Sequence, residues 1–294
     1  MINIYSYSLI NNSMIIDCHT HIWNLEEHLG QEFISDFMRV WGRDINSLMA
    51  SPEIHEKAMS KVDRAVVLAF KSLFLNINVP NEYVAKYVEK CPKKFIGFCS
   101  IDPNELDAAS ELKKCVQDLH LKGLKISPVY QNFDPNSDKA YKVFEQAQEL
   151  KIPVLIHQAT TFIRNAPLKY AYPSLLDDVA AKFGDLKIIL AHLGHPWEDE
   201  AIVLVRKHPN VYADISALTS RPFRLYHKIM SCIEYGITDK LLFGTDFPFS
   251  TPEKTINDLL KLNKFVRGTN LPKIPANVIK AIIYENPVKI FGKI

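Results

Sequence analysis

Two histidines two positions apart, His19 and His21, are the first residues of this sequence whose types and spacing could do chemistry. They lie in the stretch IDCHTHIW, behind the apolar residues Met14 to Ile16 and the carboxylate of Asp17. Residues i and i+2 of a strand point to the same side, so both imidazoles would project together from a strand end. Such a pair binds a metal ion or forms a structural pair, and the spacing alone leaves both interpretations open.

Further polar residues close other apolar runs of the chain. His157 ends PVLIH, His192 ends KIILAH and Asp246 ends LLFGTD, while Lys125 lies in GLKIS. Polar side chains avoid the ends of buried strands unless they have partners, and the carboxyl ends of barrel strands meet in one bowl. Three imidazoles and a carboxylate suit a divalent ion such as zinc and leave a coordination position for water. The strand ends therefore predict a metal site.

The elements that must position these residues are short apolar runs and helical segments that alternate regularly along the chain. Most runs are continuously apolar, which is typical of strands covered on both faces. Eight strand–helix repeats in 294 residues predict an α/β fold, a (β/α)8 TIM barrel. A doubly wound sheet is disfavoured because no glycine-rich loop follows the first strand. The predicted strands are residues 14–17, 65–70, 95–101, 123–127, 153–157, 187–192, 210–216 and 241–246, and the predicted helices are 102–120 with Asp102 as N-cap, 139–150, 174–183, one from Thr251, and 276–285.

We predict one domain over residues 14–294, preceded by an N-terminal extension of residues 1–13, and leave open whether Met14 is the original start. Residues 22–64 form a helical insertion after the first strand, about twice as long as an ordinary connection. This insertion would lie over the barrel mouth, where substrates bind, and it contains Trp23 and Arg43. It either shields the barrel or contacts the substrate.

Composition and charge argue against several classes of protein. With 35 basic and 33 acidic residues the net charge is +2, which favours neither a nucleic-acid partner nor a membrane surface. The longest apolar runs have strand length, so no transmembrane helix is expected. The five cysteines contain no C-x-x-C pair, and residues 1–13 lack the features of a secretory signal. We therefore expect reduced thiols and a cytoplasmic location.

Taken together, these motifs resemble the amidohydrolase superfamily, and within it the amidohydrolase-related branch that contains aminocarboxymuconate semialdehyde decarboxylase. The resemblance extends from about residue 14 to residue 292. It is carried by IDCHTHIW, LKGLKISPVYQNF, VLIHQ, DLKIILAHLGHPW, HPNVYADIS, LLFGTDFPFS and IYENPVKIFG, which are specific as a set. The resemblance implies a TIM barrel of the metal-dependent hydrolase type.

The resemblance also implies one divalent metal ion, zinc or alternatively manganese, held by His19, His21, His157 and Asp246. It implies that His192 is the acid–base or substrate-orienting residue, and that Asp246 takes a proton from the metal-bound water. One departure is that relatives often carry a glycine where this chain has His195. This difference changes the pocket beside His192.

Lys125 has two interpretations under this resemblance. Two-metal relatives carry a carbamylated lysine on the fourth strand that bridges the ions. In the branch that this chain resembles one metal suffices, so we expect an unmodified Lys125 that pairs with a carboxylate or faces an anionic substrate group. A lysine that merely extends from the strand end to solvent remains a structural alternative.

Hydrolysis of an amide, ester or lactone in a small carboxylated substrate is the first functional hypothesis. A bound metal lowers the pKa of its water from ~15.7 toward ~7 and so supplies hydroxide at neutral pH. Non-oxidative decarboxylation of an aromatic or muconate-type acid is the alternative that the resemblance adds. It needs a cation for the carboxylate, and the candidates are Arg43, Arg164, Arg221 and Lys125, with Trp23 as a further substrate contact.

A metal-binding protein without turnover is the third hypothesis, because a sequence does not prove an open coordination position. The expected partner is a small carboxylated molecule. A homodimer is a further possibility, since relatives often pair as dimers.

Overall fold

The computed structural model describes residues 14–292, and the eight predicted strands form one sheet in chain order. Every pairing between neighbouring strands is parallel. The strands are β1 (Ile16–His21), β2 (Arg64–Leu68), β3 (Phe95–Ser100), β4 (Gly123–Ile126), β5 (Val154–Ile156), β6 (Ile188–Leu190), β7 (Val211–Asp214) and β8 (Leu241–Leu242).

The sheet closes on itself because the chain after β8 pairs with β1. Cys18 N donates to Phe243 O at 3.0 Å, and His21 N donates to Phe247 O at 2.9 Å. A parallel bridge between Thr20 and Phe247 completes the ring. The predicted (β/α)8 barrel is confirmed, and the carboxyl ends of its strands surround one opening.

The interior of the barrel is apolar and is covered at its amino end. Ile290 and Phe291 belong to the same buried cluster as the inward side chains of the strands, such as Phe98. The Arg64 guanidinium, at the start of β2, donates to Phe291 O at 2.9 Å and holds this cover in place. The polar side chains that could take part in chemistry therefore lie at the opposite, carboxyl end of the barrel.

Helices cover the outside of the barrel and form most of the insertion. The α-helices are α1 (Leu25–His28), α2 (Gln31–Trp41), α3 (Pro52–Ala58), α4 (Asn81–Glu89), α5 (Ala108–Gln117), α6 (Pro128–Gln131), α7 (Asp138–Glu149), α8 (Asp177–Lys182), α9 (Glu198–Lys207), α10 (Pro222–Glu234), α11 (Pro252–Lys261), α12 (Ala276–Lys280) and α13 (Asn286–Phe291), with a π-helical segment (Ala281–Glu285) joining the last two. None of the helices in residues 14–292 is long and apolar enough to span a bilayer. The predicted extension, residues 1–13, lies outside the described residues.

The insertion between β1 and β2 is helical, as predicted, and is anchored to the barrel. The indole of Trp23 is buried and its Nε1 donates to Leu48 O at 2.6 Å. Trp23 also forms an antiparallel bridge with Ala50. These contacts hold helix α2 over the open end of the barrel.

The helix predicted at residues 102–120 begins later than expected, at Ala108. The carboxylate of Asp102 accepts from Asn104 N at 3.0 Å and from Leu73 N at 2.9 Å. Leu73 lies in the turn of a short hairpin, Phe70–Ser72 paired with Ile77–Val79, which was not predicted. Asp102 therefore ties this hairpin to the end of β3 instead of capping a helix.

Candidate metal centre and substrate cavity

A cavity of about 280 Å³ at the carboxyl end of the barrel brings most of the predicted site residues together. Its walls include His19, His21, Trp23, Arg43, Lys125, His157, His192 and Asp246. Arg221 also lines the cavity, whereas Arg164 does not. The backbone N–H of Arg164 donates to Asp36 Oδ2 at 2.6 Å, at the edge of the insertion.

The ends of β1 and β8 place three donor atoms close together. His19 Nε2 lies 3.3 Å and His21 Nε2 lies 3.6 Å from Asp246 Oδ1. Nitrogen and oxygen ligands bind one zinc-sized ion at about 2.0–2.2 Å, which puts neighbouring ligand atoms roughly 3–3.6 Å apart. These three residues therefore have the types and the spacing of a metal-binding set.

Four histidines of the cavity, His19, His21, His157 and His192, are neutral, the form that offers a lone pair to a metal. Burial, reinforced by neighbouring positive groups, lowers the pKa of His19, His21 and His192 well below the usual range. Burial and the charge of Lys125 lower the pKa of His157 to about 3. For Asp246, burial raises the pKa to about 7, although Lys125 opposes this effect.

Asp214, at the end of β7, orients two of these histidines and was not predicted. Its Oδ2 accepts from His19 Nδ1 at 2.9 Å, which leaves His19 Nε2 as the lone-pair nitrogen. Its Oδ1 accepts from the backbone N–H of His192 at 3.0 Å. Metal-binding histidines commonly donate their second nitrogen to a carboxylate in this way. The signal was present in the sequence, since Asp214 closes the apolar run NVYAD.

Ser216 fixes the tautomer of His192. The hydroxyl of Ser216 donates to Asp214 Oδ1, so its oxygen is free to accept from His192 Nδ1 at 2.7 Å. His192 then carries its hydrogen on Nδ1 and its lone pair on Nε2. The Nε2 atom lies 3.9 Å from Asp246 Oδ2. This arrangement directs a proton-accepting nitrogen toward the predicted metal ligand.

His157 lines the cavity but does not belong to the close set of His19, His21 and Asp246. Its Nε2 donates to the carbonyl oxygen of Thr160 at 3.0 Å. Because a carbonyl only accepts, the neutral ring keeps its lone pair on Nδ1. His157 thus offers one nitrogen to a ligand.

Lys125 is buried beside the metal-binding set. Its Nζ lies 3.5 Å from His19 Nε2, and its side chain is 3% exposed. Burial lowers the pKa of Lys125 to about 8, although the charges of Asp246 and Asp214 oppose this shift. The interpretation of Lys125 as a lysine that extends to solvent is therefore wrong.

The backbone around the donors is held in unusual geometry. The pairing of β1 with β2 shifts register between Asp17 and Thr20, so Cys18 packs in the barrel interior and the next side chain, His19, lines the cavity. Asp246 has a left-handed backbone with φ 56°. A Cβ on Gly244 would lie 3.2 Å from that of His19, so this position favours glycine. Such conformations cluster at functional sites.

Aromatic and cationic residues form the outer wall of the cavity. The guanidinium of Arg43 lies 5.3 Å, and that of Arg221 5.9 Å, from the centroid of Trp41. The ring of Phe249 packs against the same indole at 6.1 Å. This wall combines a flat apolar surface with two positive charges, which suits a planar anionic ligand.

Comparisons with known proteins agree with this architecture. The chain is 24% identical to a gamma-resorcylate decarboxylase of Polaromonas sp. (strain JS666), in an alignment that covers 67% of this chain and 80% of that protein. It is 27% identical to a 2-amino-3-carboxymuconate-6-semialdehyde decarboxylase of Dictyostelium discoideum, in an alignment that covers 91% of both chains.

Solved structures show the same fold. An uncharacterised TIM-barrel protein of Bordetella bronchiseptica matches with a TM-score of 0.73 at 20% identity, over 95% of this chain and 98% of that one. A dihydroxybenzoic acid decarboxylase of Polaromonas sp. JS666, with bound manganese and the inhibitor 2-nitroresorcinol, matches with a TM-score of 0.65 at 18% identity, over 95% and 97%. The family model described as amidohydrolase matches residues 16–293, so the chain belongs to the amidohydrolase family of enzymes.

Proposed function

We propose that this enzyme is a metal-dependent decarboxylase of a small aromatic or muconate-type carboxylic acid. The observation that carries the proposal is the wall of Trp41, Arg43 and Arg221 in the same cavity as the metal-binding set. The named relatives support it, since both are decarboxylases. They favour the second of the two reactions that the sequence left open, and hydrolysis becomes the weaker hypothesis.

We place one divalent ion on His19, His21 and Asp246, with His157 as the fourth ligand. The neutral imidazoles and the carboxylate fit zinc or manganese, and manganese is bound in one structural neighbour. When bound, the ion supplies a Lewis acid for substrate oxygens. Lys125 remains an unmodified lysine in this proposal, with its Nζ 3.5 Å from His19 Nε2.

The arginines of the outer wall bind and orient the acid. Arg43 and Arg221 lie over the ring of Trp41, so an anionic group of the substrate can pair with a guanidinium while its ring packs on an aromatic surface. Arg221 is fixed for this role because its Nη1 donates to Ala217 O at 2.8 Å. Arg164, which lies outside the cavity lining, has no part in this step.

Loss of carbon dioxide leaves the bonding electron pair on carbon, and that carbon must take up a proton. His192 Nε2 and Asp246 Oδ2, 3.9 Å apart, are the groups of the cavity that hold this proton. Ser216 keeps the hydrogen of His192 on Nδ1, so Nε2 is the exchanging nitrogen. Phe33, Phe70 and Phe162 line the same cavity, so an apolar surface borders the carbanion-like transition state.

The test is a comparison of two reactions on the purified enzyme loaded with manganese or zinc. One arm measures carbon dioxide released from 2,6-dihydroxybenzoate and from muconate-type acids. The other arm measures acid released from lactones and esters of similar size. Carbon dioxide equal to the substrate consumed supports the proposal, whereas turnover confined to the lactones and esters would make the enzyme a hydrolase.

A further inference from the structure

His195 lies in the cavity wall, and no role has been given to it so far. Its backbone carbonyl accepts from Thr160 N at 2.7 Å, and the carbonyl of Thr160 in turn accepts from His157 Nε2. Thr160 thus links the backbone of His195 to the ring of His157, a predicted metal ligand. The side chain of His195 is 14% exposed, so it is largely enclosed yet reachable from the cavity.

A buried carboxylate fixes the ring of His195. Its Nδ1 lies 2.7 Å from Glu198 Oε1, and Glu198 has no exposed surface. Arg224 donates to both oxygens of Glu198, from Nε at 2.6 Å and from Nη2 at 2.7 Å. A second bond from Arg224 Nη2, to Pro196 O at 2.6 Å, ties this arginine to the same loop.

The Glu198 carboxylate is ionised, so it only accepts hydrogen bonds. Burial alone would raise the pKa of Glu198, but the hydrogen bonds from His195 and Arg224 outweigh it and hold the pKa at about 2. Nδ1 of His195 therefore carries the hydrogen that points to Glu198. In the neutral ring, Nε2 is left as an acceptor, and no residue in the described part of the chain forms a hydrogen bond with it.

We propose that His195 is a further substrate-binding residue, whose Nε2 accepts a hydrogen bond from a hydroxyl group on the substrate. The proposal rests on the proposed function for the position of the carboxylate, and it adds a recognition element for a hydroxy-substituted acid. Glu198 and Arg224 are positioning residues, since they set the tautomer and the orientation of the ring. A site built to accept from a hydroxyl discriminates against an analogue that lacks it.

Binding of two ligands that cannot lose carbon dioxide tests this role. One is 2-nitroresorcinol, and the other is 1,3-difluoro-2-nitrobenzene, which has a similar shape but no hydroxyl hydrogens. Calorimetry on the manganese-loaded enzyme gives the ratio of their dissociation constants. We expect His195→Phe to reduce the preference for 2-nitroresorcinol roughly tenfold, as expected for one hydrogen bond, and to change binding of the difluoro compound little.

His208→Phe is the matched control. In the wild type, the ring of His208 is likewise held by a carboxylate, since its Nε2 lies 2.7 Å from Asp177 Oδ1. His208 does not line the cavity. This variant should keep the wild-type ratio. His195→Leu serves as a second variant if His195→Phe has a lowered melting temperature.

An unchanged ratio in the folded His195 variants, or an equal fall in His208→Phe, would overturn the proposal. Since this measurement needs no turnover, its failure is separate from a failure to release carbon dioxide. An enzyme that binds these ligands as expected but releases no carbon dioxide would count against the proposed function alone.

Discussion

The carboxylate of Asp17 in β1 accepts hydrogen bonds from both the backbone N–H and the hydroxyl of Thr245, at 3.0 Å and 2.7 Å. The two residues are 228 positions apart, and this contact joins the first strand to the segment that follows the last one. Asp17 Oδ1 also accepts from His19 N at 3.2 Å. One buried side chain therefore sets the positions of His19 and Asp246 relative to each other.

Replacing Thr245 by valine is expected to loosen this closure. Thr245→Val removes the hydroxyl that bonds Asp17 Oδ2 and leaves a buried carboxylate oxygen without that partner. The expected loss is about 1–3 kcal/mol in the free energy of unfolding, measured by urea denaturation. Thr245→Ser keeps the hydroxyl and should stay near the wild-type value; equal losses in both variants would contradict this account.

Asp214 is expected to tune metal binding without being a ligand. Asp214→Asn removes the carboxylate that holds His19 Nδ1 at 2.9 Å. The lone pair on Nε2 then becomes less basic, and the imidazole ring is less firmly oriented toward the metal. We expect metal affinity to fall by roughly 10–100-fold in competition with a chelating dye. Asp177→Asn, which disturbs a histidine–carboxylate pair outside the cavity, is the control and should bind the metal normally.

His192 and Asp246 are expected to respond differently to substitution. His192→Ala should keep its metal and lose roughly 10²–10⁴-fold in kcat, because a group that exchanges the proton is removed. Asp246→Ala should lose the metal as well, since its Oδ1 lies within 3.6 Å of both histidine nitrogens. Metal content by elemental analysis decides this, and loss of the ion from His192→Ala would place His192 among the ligands.

The barrel could be predicted from the sequence because its strands are buried on both faces and read as continuous apolar runs. The polar residues that close these runs marked the cavity, as His157 and His192 illustrate. The late start of α5 could not be predicted, because Asp102 is bound by Leu73 N, 29 positions away. Local capping patterns do not reveal such a long-range partner.

The supporting residues of the site were harder to recognise than the donors. Asp214 closes one apolar run as Asp246 closes another, but its bond to His19 spans 195 positions and depends on the barrel being closed. The insertion contributes Arg43 to the cavity wall. Only the folded chain shows that the guanidinium groups of Arg43 and Arg221 both lie near the ring of Trp41. The sequence could not exclude Arg164, since its distance from the cavity is a matter of tertiary structure.

Arg221 is expected to contribute mainly to substrate binding. Arg221→Gln removes a charge from the wall around Trp41, so the KM for an aromatic acid should rise roughly 10–100-fold with a smaller change in kcat. The control is Arg39→Gln, because Arg39 pairs with Asp36 at 2.8 Å and does not line the cavity. A fall in kcat with an unchanged KM would instead place Arg221 in the chemical step.

Glu198 is expected to make stability depend on acid pH. Burial opposes its ionisation, but the bonds from His195 and Arg224 hold its pKa at about 2 in the folded chain, below the usual 4.5. A depressed carboxyl pKa stabilises the fold above pH 4.5, and this contribution is lost as the pH falls from 4.5 toward about 2. The shift corresponds to roughly 3 kcal/mol near neutral pH.

Urea denaturation of the wild type and of Glu198→Gln at several pH values measures this contribution directly. The wild type should be more stable at pH 7, and the gap should close progressively below pH 4.5, where the wild-type carboxylate becomes protonated. Glu145→Gln, at an exposed position of α7, is the matched control and should show little difference from the wild type at any pH. A gap of constant size between pH 7 and pH 2 would mean that Glu198 stabilises the loop through packing and not through its charge.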